Sequence, residues 1–249
     1  MACFQHLLMA CALLASPAHP GTPVDLELVI ASDISLSVDA EERKLQREGY
    51  AGAMQDRLVV AAITGGPLGR IAVTYVEWSG QRDHEVVVPW TLIDSNDTAV
   101  RFAHAVKTAR TKFEPGATAI GNALRFSAKM FNSNSFAGMR HVIDISGDGS
   151  SNDGISSAKA RDDIVREGIT INGLPIELIN DRPLKAGEWE MPGKVEYYYR
   201  TAVIGGQGAF LFAVHSMRDF EPMLRSKLVL EIASTQPSHP QHAKFAGQP

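Results

Sequence analysis

The feature that most constrains the fold is a regular alternation of short β-rich runs with longer amphipathic segments. The apolar residues of the first run recur at every second position, the period of a strand, whereas those of residues 119–131 follow helical spacing. Strands are predicted at 24–31, 71–78, 85–93, 141–146, 169–174 and 209–214. Helices are predicted at 39–63, 98–110, 119–131, 155–167 and 217–233. Strands that alternate with helices in this way favour a parallel sheet covered on both faces.

Two local signals refine this prediction. Residues 71–78 and 85–93 are joined by a short polar turn, which is typical of an antiparallel pair. Asp39 precedes the first helix with Glu42 three residues later, the pattern of a capping box. Residues 177–199 show no clear period and are predicted to form a long ordered loop or a small excursion from the fold. The sequence therefore predicts an α/β, doubly wound, mainly parallel sheet with helices on both faces and one antiparallel edge strand.

The N-terminus has the features of an export signal. Residues 4–15 are almost continuously apolar, a length typical of a signal peptide and too short to span a bilayer. Small residues at Ser16 and Ala18 suit cleavage after position 18. We therefore expect a signal peptide at 1–18, a spacer at 19–23, one domain at 24–234 and a flexible tail at 235–249, with a periplasmic or extracellular location. A lipid anchor at Cys11 and a buried N-terminal helix are the alternatives.

Composition excludes several classes of function. Both cysteines, Cys3 and Cys11, lie in the expected signal, so the mature chain would have no disulfide framework, thiolate metal site or cysteine nucleophile. The net charge of −4 provides no overall basic field for nucleic acid. The apolar run at the N-terminus has no counterpart later in the chain, so no transmembrane span is expected.

Three predicted loops gather polar side chains at strand-to-helix junctions, at residues 33–37, 116–119 and 146–149. In doubly wound folds, such loops meet at one edge of the sheet, where ligands bind. Together they offer two carboxylates and three hydroxyls: Asp33, Ser35, Ser37, Thr118 and Asp148.

These candidate ligands form an all-oxygen set. Hard oxygen ligands select Mg²⁺, Mn²⁺ or Ca²⁺ over zinc or copper. In an extended turn, alternate side chains share a face, so Asp33, Ser35 and Ser37 can converge on one point. Only two of the five ligands are anionic, which would leave the cation positive enough to attract an external carboxylate. The sequence predicts a site for Mg²⁺, with Mn²⁺ or Ca²⁺ as alternatives.

This arrangement resembles a von Willebrand factor type A domain with its metal-ion-dependent adhesion site, which consists of an Asp-x-Ser-x-Ser loop, a distant Thr and a distant Asp. The resemblance implies that Ser35 and Ser37 bind the metal directly, and that Thr118 and Asp148 bind it directly or through water. It further implies a binding module without catalytic residues, whose protein partner supplies a carboxylate to the metal. Leu36 stands where the family usually has glycine, and it is expected to crowd the tight turn.

A narrower resemblance extends over residues 24–233. Residues 69–80, 88–93 and 203–206 are similar to segments of a bacterial family of exported proteins of unknown function, itself similar to type A domains. This resemblance adds no functional residue.

Two alternatives are left open. Residues 147–153 resemble the Gly-Asp-Gly-x-Asn-Asp motif of haloacid dehalogenase-like phosphatases, in which Asp33 would be the nucleophile beside Mg²⁺. However, Ser35 stands where those enzymes need a second carboxylate, and one residue too many precedes Asn152. In the other alternative the fold is a scaffold with a degenerate site, where the serines cap the first helix and Asp33 and Asp148 bind loop amides.

Overall fold

The computed structural model describes residues 21–178 and 193–234. The predicted signal peptide at 1–18 and the whole tail at 235–249 therefore lie outside the described residues, and so does most of the predicted 177–199 loop. The strands are β1 (Thr22–Val24), β2 (Glu27–Asp33), β3 (Ile71–Trp78), β4 (His84–Ile93), β5 (Phe136–Gly138), β6 (His141–Gly147) and β7 (Thr170–Pro175). The helices are α1 (Ala40–Met54), α2 (Arg57–Thr64), α3 (Asn96–Thr108), α4 (Ile120–Met130), α5 (Ser157–Arg166), α6 (Lys194–Tyr198) and α7 (Met217–Ala233), with a π-helical turn at Tyr199–Val203.

The main sheet has five strands in the order β4-β3-β2-β6-β7. β2 pairs in parallel with β3 and β6, and β6 pairs in parallel with β7. β4 pairs antiparallel with β3 at the edge. The predicted doubly wound α/β fold with one antiparallel edge strand is confirmed.

The two faces of the sheet belong to two apolar cores, and β2 contributes to both. Leu28 and Ile30 point to a core formed with α1, α2, α3 and α7, while Val29 and Ala31 point to a core formed with α4, α5 and the π-helical turn. All seven residues of β2 are buried, as expected for a central strand covered on both sides. The helices leave the carboxyl ends of β2, β3 and β6 free to carry loops.

The prediction of one long helix at 39–63 is wrong, because the structure has two helices there, α1 and α2. The capping box at the start of α1 is present, since the Asp39 carboxylate accepts from the amides of Glu41 and Glu42. The break comes at Asp56, where the backbone is extended. The Asp56 side chain caps the second helix by accepting from the Leu58 amide at 2.8 Å. An aspartate that competes for helix N–H groups favours such a new start.

The strand predicted at 209–214 is also wrong. This segment lies along β7, but it makes only isolated bridges, from Leu211 to Gly173 and from Val214 to Ile176. One reason is that the Asn172 side chain, rather than a backbone carbonyl, accepts from the Phe210 amide at 3.0 Å. Between the two bridges, Pro175 of β7 has no N–H to donate, so the ladder is interrupted and no regular strand forms.

Four further elements were not predicted. β1 pairs in parallel with β5 in a separate two-stranded sheet, so the expected spacer at 19–23 overlaps a strand. The end of the predicted 177–199 loop forms α6 and the start of the π-helical turn.

Within the described ranges, no helix combines the length and the apolar character that crossing a membrane requires.

Candidate metal centre

Backbone hydrogen bonds hold the predicted loops against one another. The Leu36 amide donates to the Gly116 carbonyl at 3.0 Å, which joins the loop after β2 to the loop before α4. The Ala119 amide donates to the Ser79 carbonyl at 2.8 Å, which ties the second loop to the end of β3. The edge predicted from the sequence is therefore a single cluster of loops.

Asp33, the last residue of β2, is the most buried member of the site. Its side chain is fully inaccessible, and its Oδ1 accepts from the Ser35 amide at 2.7 Å. Its Oδ2 has no hydrogen-bond partner among the described residues. Burial, with a smaller contribution from the nearby carboxylate of Asp148, raises the pKa of Asp33 to about 8 against the lowering effect of the Ser35 amide. A buried carboxylate oxygen without a partner is costly, so this atom calls for a functional explanation.

A row of side-chain oxygens leads from Asp33 to the surface. Ser35 is buried, and its Oγ lies 3.2 Å from that of Ser37. The Ser37 hydroxyl, which is exposed, donates to Asp148 Oδ1 at 2.7 Å. Burial raises the pKa of Asp148, against the lowering effect of this hydrogen bond. The structure thus brings four of the five predicted ligands into one row.

Thr118, the fifth predicted ligand, is only 5% exposed. The prediction that its loop is a strand-to-helix junction is wrong, because the loop joins α3 to α4. Its amide donates to Asn152 Oδ1 at 2.9 Å, and the Asn152 amide returns a bond of 2.9 Å to its carbonyl. The Ser151 hydroxyl donates to the same carbonyl at 3.1 Å. The Thr118 hydroxyl makes no hydrogen bond to a residue in the described ranges. The backbone is therefore fixed while the hydroxyl is left available.

Asn152 and Ser151 have a positioning role that the sequence did not predict. In the sequence, their segment shows only a motif-like order of residues, whereas their hydrogen bonds span more than thirty positions of the chain. A polar continuation after the second aspartate was the available signal. This polar segment could not indicate that Thr118 is the residue it hydrogen-bonds, since that contact depends on where α4 packs.

Tyr199 was also missed as a neighbour of the site. It lies in the π-helical turn with a fully buried hydroxyl that has no hydrogen-bond partner among the described residues. A Cβ on Gly147 would lie 2.7 Å from this hydroxyl and 2.8 Å from Asp33 Oδ2. Only glycine therefore leaves room for both oxygen atoms. Tyr197, two residues before Tyr199, is by contrast 69% exposed.

Leu36 does not strain the turn in the way expected. No residue other than glycine has a positive φ in the described ranges, so Leu36 occupies an ordinary backbone region. Its side chain is 76% exposed, beside the row of oxygens. The substitution for glycine therefore adds an apolar contact surface instead of distorting the loop.

Glu77 stabilises a loop and does not join the predicted ligands. It is buried, and both its oxygens accept from the guanidinium of Arg47, at 2.6 and 2.8 Å. Arg47 also donates to the Ala109 carbonyl, and the Thr111 hydroxyl donates to Glu77. This network holds the segment between α3 and α4, which leads to Thr118.

The donors present fit a hard divalent cation. Two carboxylates and three hydroxyls lie at one edge, and one buried carboxylate oxygen lacks a partner. Nowhere in residues 21–178 or 193–234 do three or more His, Cys, Asp or Glu side chains cluster as a metal site. A cation bound at this edge would therefore depend on hydroxyl oxygens as well as carboxylates.

The fold is that of von Willebrand factor type A domains. A von Willebrand factor type A protein from Catenulispora acidiphila aligns at a TM-score of 0.54 and 14% identity, over 84% of this chain and 43% of that one. Proximal thread matrix protein 1 from the mussel byssus, with a zinc-occupied MIDAS motif, aligns at 0.55 and 16%, over 86% and 49%. The pilus adhesin SpaC from Lactobacillus rhamnosus GG, in an open conformation, aligns at 0.58 and 14%, over 86% and 30%.

The chain spans half or less of the length of these three structures. No curated protein matches its sequence. A family model does match, over residues 23–236, which is most of the chain. The chain therefore belongs to the family described as Protein of unknown function (DUF1194).

Proposed function

We propose that this protein is an exported binding module that holds a divalent cation at the five predicted ligands and uses it to engage a carboxylate of a protein partner. The observation that carries the proposal is the unpartnered Oδ2 of Asp33, which is fully buried at the inner end of a row of side-chain oxygens. A type A fold and the structural similarity to a pilus adhesin support the assignment to binding.

The charges and exposure of the ligands explain why a partner would add a carboxylate. Only two of the five ligands, Asp33 and Asp148, are carboxylates, and the three hydroxyls add no charge. A bound Mg²⁺, Mn²⁺ or Ca²⁺ supplies a positive centre that favours a further anionic oxygen. Ser37 and Asp148 lie at the solvent end of the row, so an incoming carboxylate would approach from there. Exposed Leu36 provides apolar contact next to this entry.

The phosphatase alternative finds less support. The position two residues after the proposed nucleophile holds Ser35 and not the second carboxylate that such phosphatases need. The Ser35 hydroxyl is hydrogen-bonded to that of Ser37. Asp33 is fully buried and hydrogen-bonded to the Ser35 amide, a poor position for in-line attack on a phosphoester. We therefore propose binding without catalysis.

Thermal unfolding with and without metal tests the proposal. A cation that binds only the folded state adds about 2.7 kcal/mol at a hundredfold excess over Kd. For a domain of this size, that raises Tm by about 5 to 10 °C. We expect Mg²⁺ or Mn²⁺ to produce such a rise and EDTA to reverse it.

Two variants that each replace one aspartate by asparagine test where the metal binds. Asp33→Asn, which keeps the size of the side chain, should abolish the rise in Tm. Asp97→Asn, on an exposed position of α3, should keep it. An equal rise in both variants would place the cation elsewhere and contradict the proposal. Mg²⁺-dependent release of phosphate from a small phosphoester, lost in Asp33→Asn, would favour the phosphatase instead.

A further inference from the structure

A groove of about 430 Å³ lies between α1 and α3. Its charged lining consists of Arg43, Lys44, Arg47 and Glu48 from α1, and Lys107 from α3. Four cations and one anion thus face one concave surface, in a chain whose net charge is −4. This local excess of positive charge is opposite in sign to the whole molecule.

Only part of this positive charge is neutralised inside the protein. Arg47 forms the buried pair with Glu77, and Lys107 lies 3.7 Å from Glu48 in a pair that is largely open to solvent. Within the described part of the chain, Arg43 and Lys44 form no ion pair. An exposed pair of this kind contributes little, so Lys107 is available to an anion as well.

The groove begins next to the candidate metal centre. Ala40, which lines it, comes three residues after Ser37, and the guanidinium of Arg43 donates to the Val38 carbonyl at 3.2 Å. On the opposite wall, Thr111 comes five residues before Gly116, whose carbonyl holds the Leu36 loop. The residues of α1 that line it span about 12 Å at 1.5 Å per residue. An extended peptide rises about 3.3 Å per residue, so the groove has room for about four residues.

We propose that this groove binds an acidic segment of the protein partner, within about four residues of the carboxylate that binds the metal. The inference rests on the proposed function and adds a second, metal-independent contact to it. Charge complementarity carries it, since unneutralised cations line a cleft that starts at the metal centre and is long enough for about four extended residues. A peptide fits better than an anionic membrane, because the surface is concave and the net charge of the protein opposes adsorption to a negative bilayer.

The probe for this test is a fluorescein-labelled hexaglutamate peptide, with binding followed by anisotropy in Mg²⁺ at physiological salt. The groove variant is Lys44→Glu with Lys107→Glu, neither of which contacts the metal loops. The matched control is Lys129→Glu with Lys159→Glu, two exposed lysines of α4 and α5 on the other face of the sheet. Both double variants change the net charge equally.

We expect the groove variant to bind the peptide at least tenfold more weakly than the wild type, and the control to bind within about twofold. Screening by salt should reduce the difference in peptide affinity between the wild type and the groove variant as the ionic strength approaches 1 M, where the Debye length falls to about 3 Å. The Mg²⁺-induced rise in Tm should be unchanged in the groove variant.

Equal weakening in both double variants would show a general charge effect and overturn the inference, as would unchanged binding in the groove variant. Lysine-dependent binding to vesicles of phosphatidylglycerol, without binding to the peptide, would overturn it in favour of a membrane surface. The proposed function fails separately, if Mg²⁺ gives the wild type no rise in Tm that depends on Asp33.

Discussion

A buried charge cluster beneath α7 gives the sharpest test of what stabilises this fold. Lys227 is fully buried, with its ammonium 2.5 Å from Asp144 Oδ1 and paired with Glu231 one turn along the helix. Asn172 donates to Glu231 at 3.1 Å, which adds a neutral contact. All three charged side chains are inaccessible to solvent, so they depend on one another for compensation.

The charge balance of the cluster sets the expected cost of Lys227→Met. One ammonium and two carboxyls are neutral when one carboxyl holds a proton, and burial raises the pKa of Glu231 to about 7. Without Lys227, neutrality requires a second proton on Asp144, whose ordinary pKa is 3.8. At about 1.4 kcal/mol per pH unit, placing that proton costs about 5 kcal/mol near pH 7.5 and about 2 kcal/mol near pH 5.

We therefore expect Lys227→Met to lower the free energy of unfolding by about 3 to 5 kcal/mol near neutral pH. The sign of the pH dependence follows from the protons bound. Folding of the variant takes up two carboxyl protons and folding of the wild type takes up one, so the deficit shrinks by about 1.4 kcal/mol for each pH unit from 7 down to 5. In the wild type, stability from the raised pKa of Glu231 is present below its ordinary value of 4.5 and is lost as pH rises through about 7.

Urea unfolding of both proteins at pH 5, 6 and 7 measures this difference. Lys159→Met, at an exposed lysine of α5, controls for loss of charge and should change stability by less than about 0.5 kcal/mol. Adding Asp144→Asn to Lys227→Met removes the carboxyl that needs the second proton, so the pH dependence of the deficit should disappear. A deficit below about 1 kcal/mol, or one that is equal at pH 5 and pH 7, would refute the reasoning.

Three further substitutions test other contacts. Gly147→Ala places a Cβ 2.8 Å from Asp33 Oδ2, so it should reduce the Mg²⁺-induced rise in Tm and cost about 1 to 3 kcal/mol; an undiminished rise would contradict the packing. Glu77→Gln leaves Arg47 without its anion and should cost about 3 kcal/mol by urea unfolding, whereas a cost below 1 kcal/mol would show that the pair adds little. Asp56→Ala removes the cap of α2 and should cost about 1 kcal/mol, a loss that Asp56→Ser should largely avoid.

The fold class was predictable because the periodicity of each element, and the order of strands and helices along the chain, can be read locally from the sequence. Both faces of β2 are apolar, and the antiparallel edge pair was visible as two β-rich runs with a polar turn between them. The break at Asp56 could not be predicted from periodicity, since α1 and α2 both present apolar faces to the same core. Residues 209–214 mimic a strand in composition, but a side chain of β7 takes the place of a ladder bond.

The candidate site was only partly predictable, for a different reason. Asp33, Ser35 and Ser37 share one loop, and their spacing already places them on one side of it. Asn152 and Tyr199 act on the site from elements that are distant in sequence, so only the packing of α4 and of the π-helical turn reveals them. The basic groove likewise depends on the distance between two helices, which no spacing along the chain encodes.

The geometry of the site follows from the register of two parallel strands. β2 pairs with β6 so that Ser32 lies opposite Ser146, which sets Asp33 against Gly147 and leaves Asp148 one residue beyond. This register is fixed by burial, because side chains alternate between the two cores and a slip of one residue would exchange them. Such a slip would turn Asp144 away from Lys227 and into the apolar core beside α4. The buried ion cluster therefore penalises the same displacement that would separate the two carboxylates of the site.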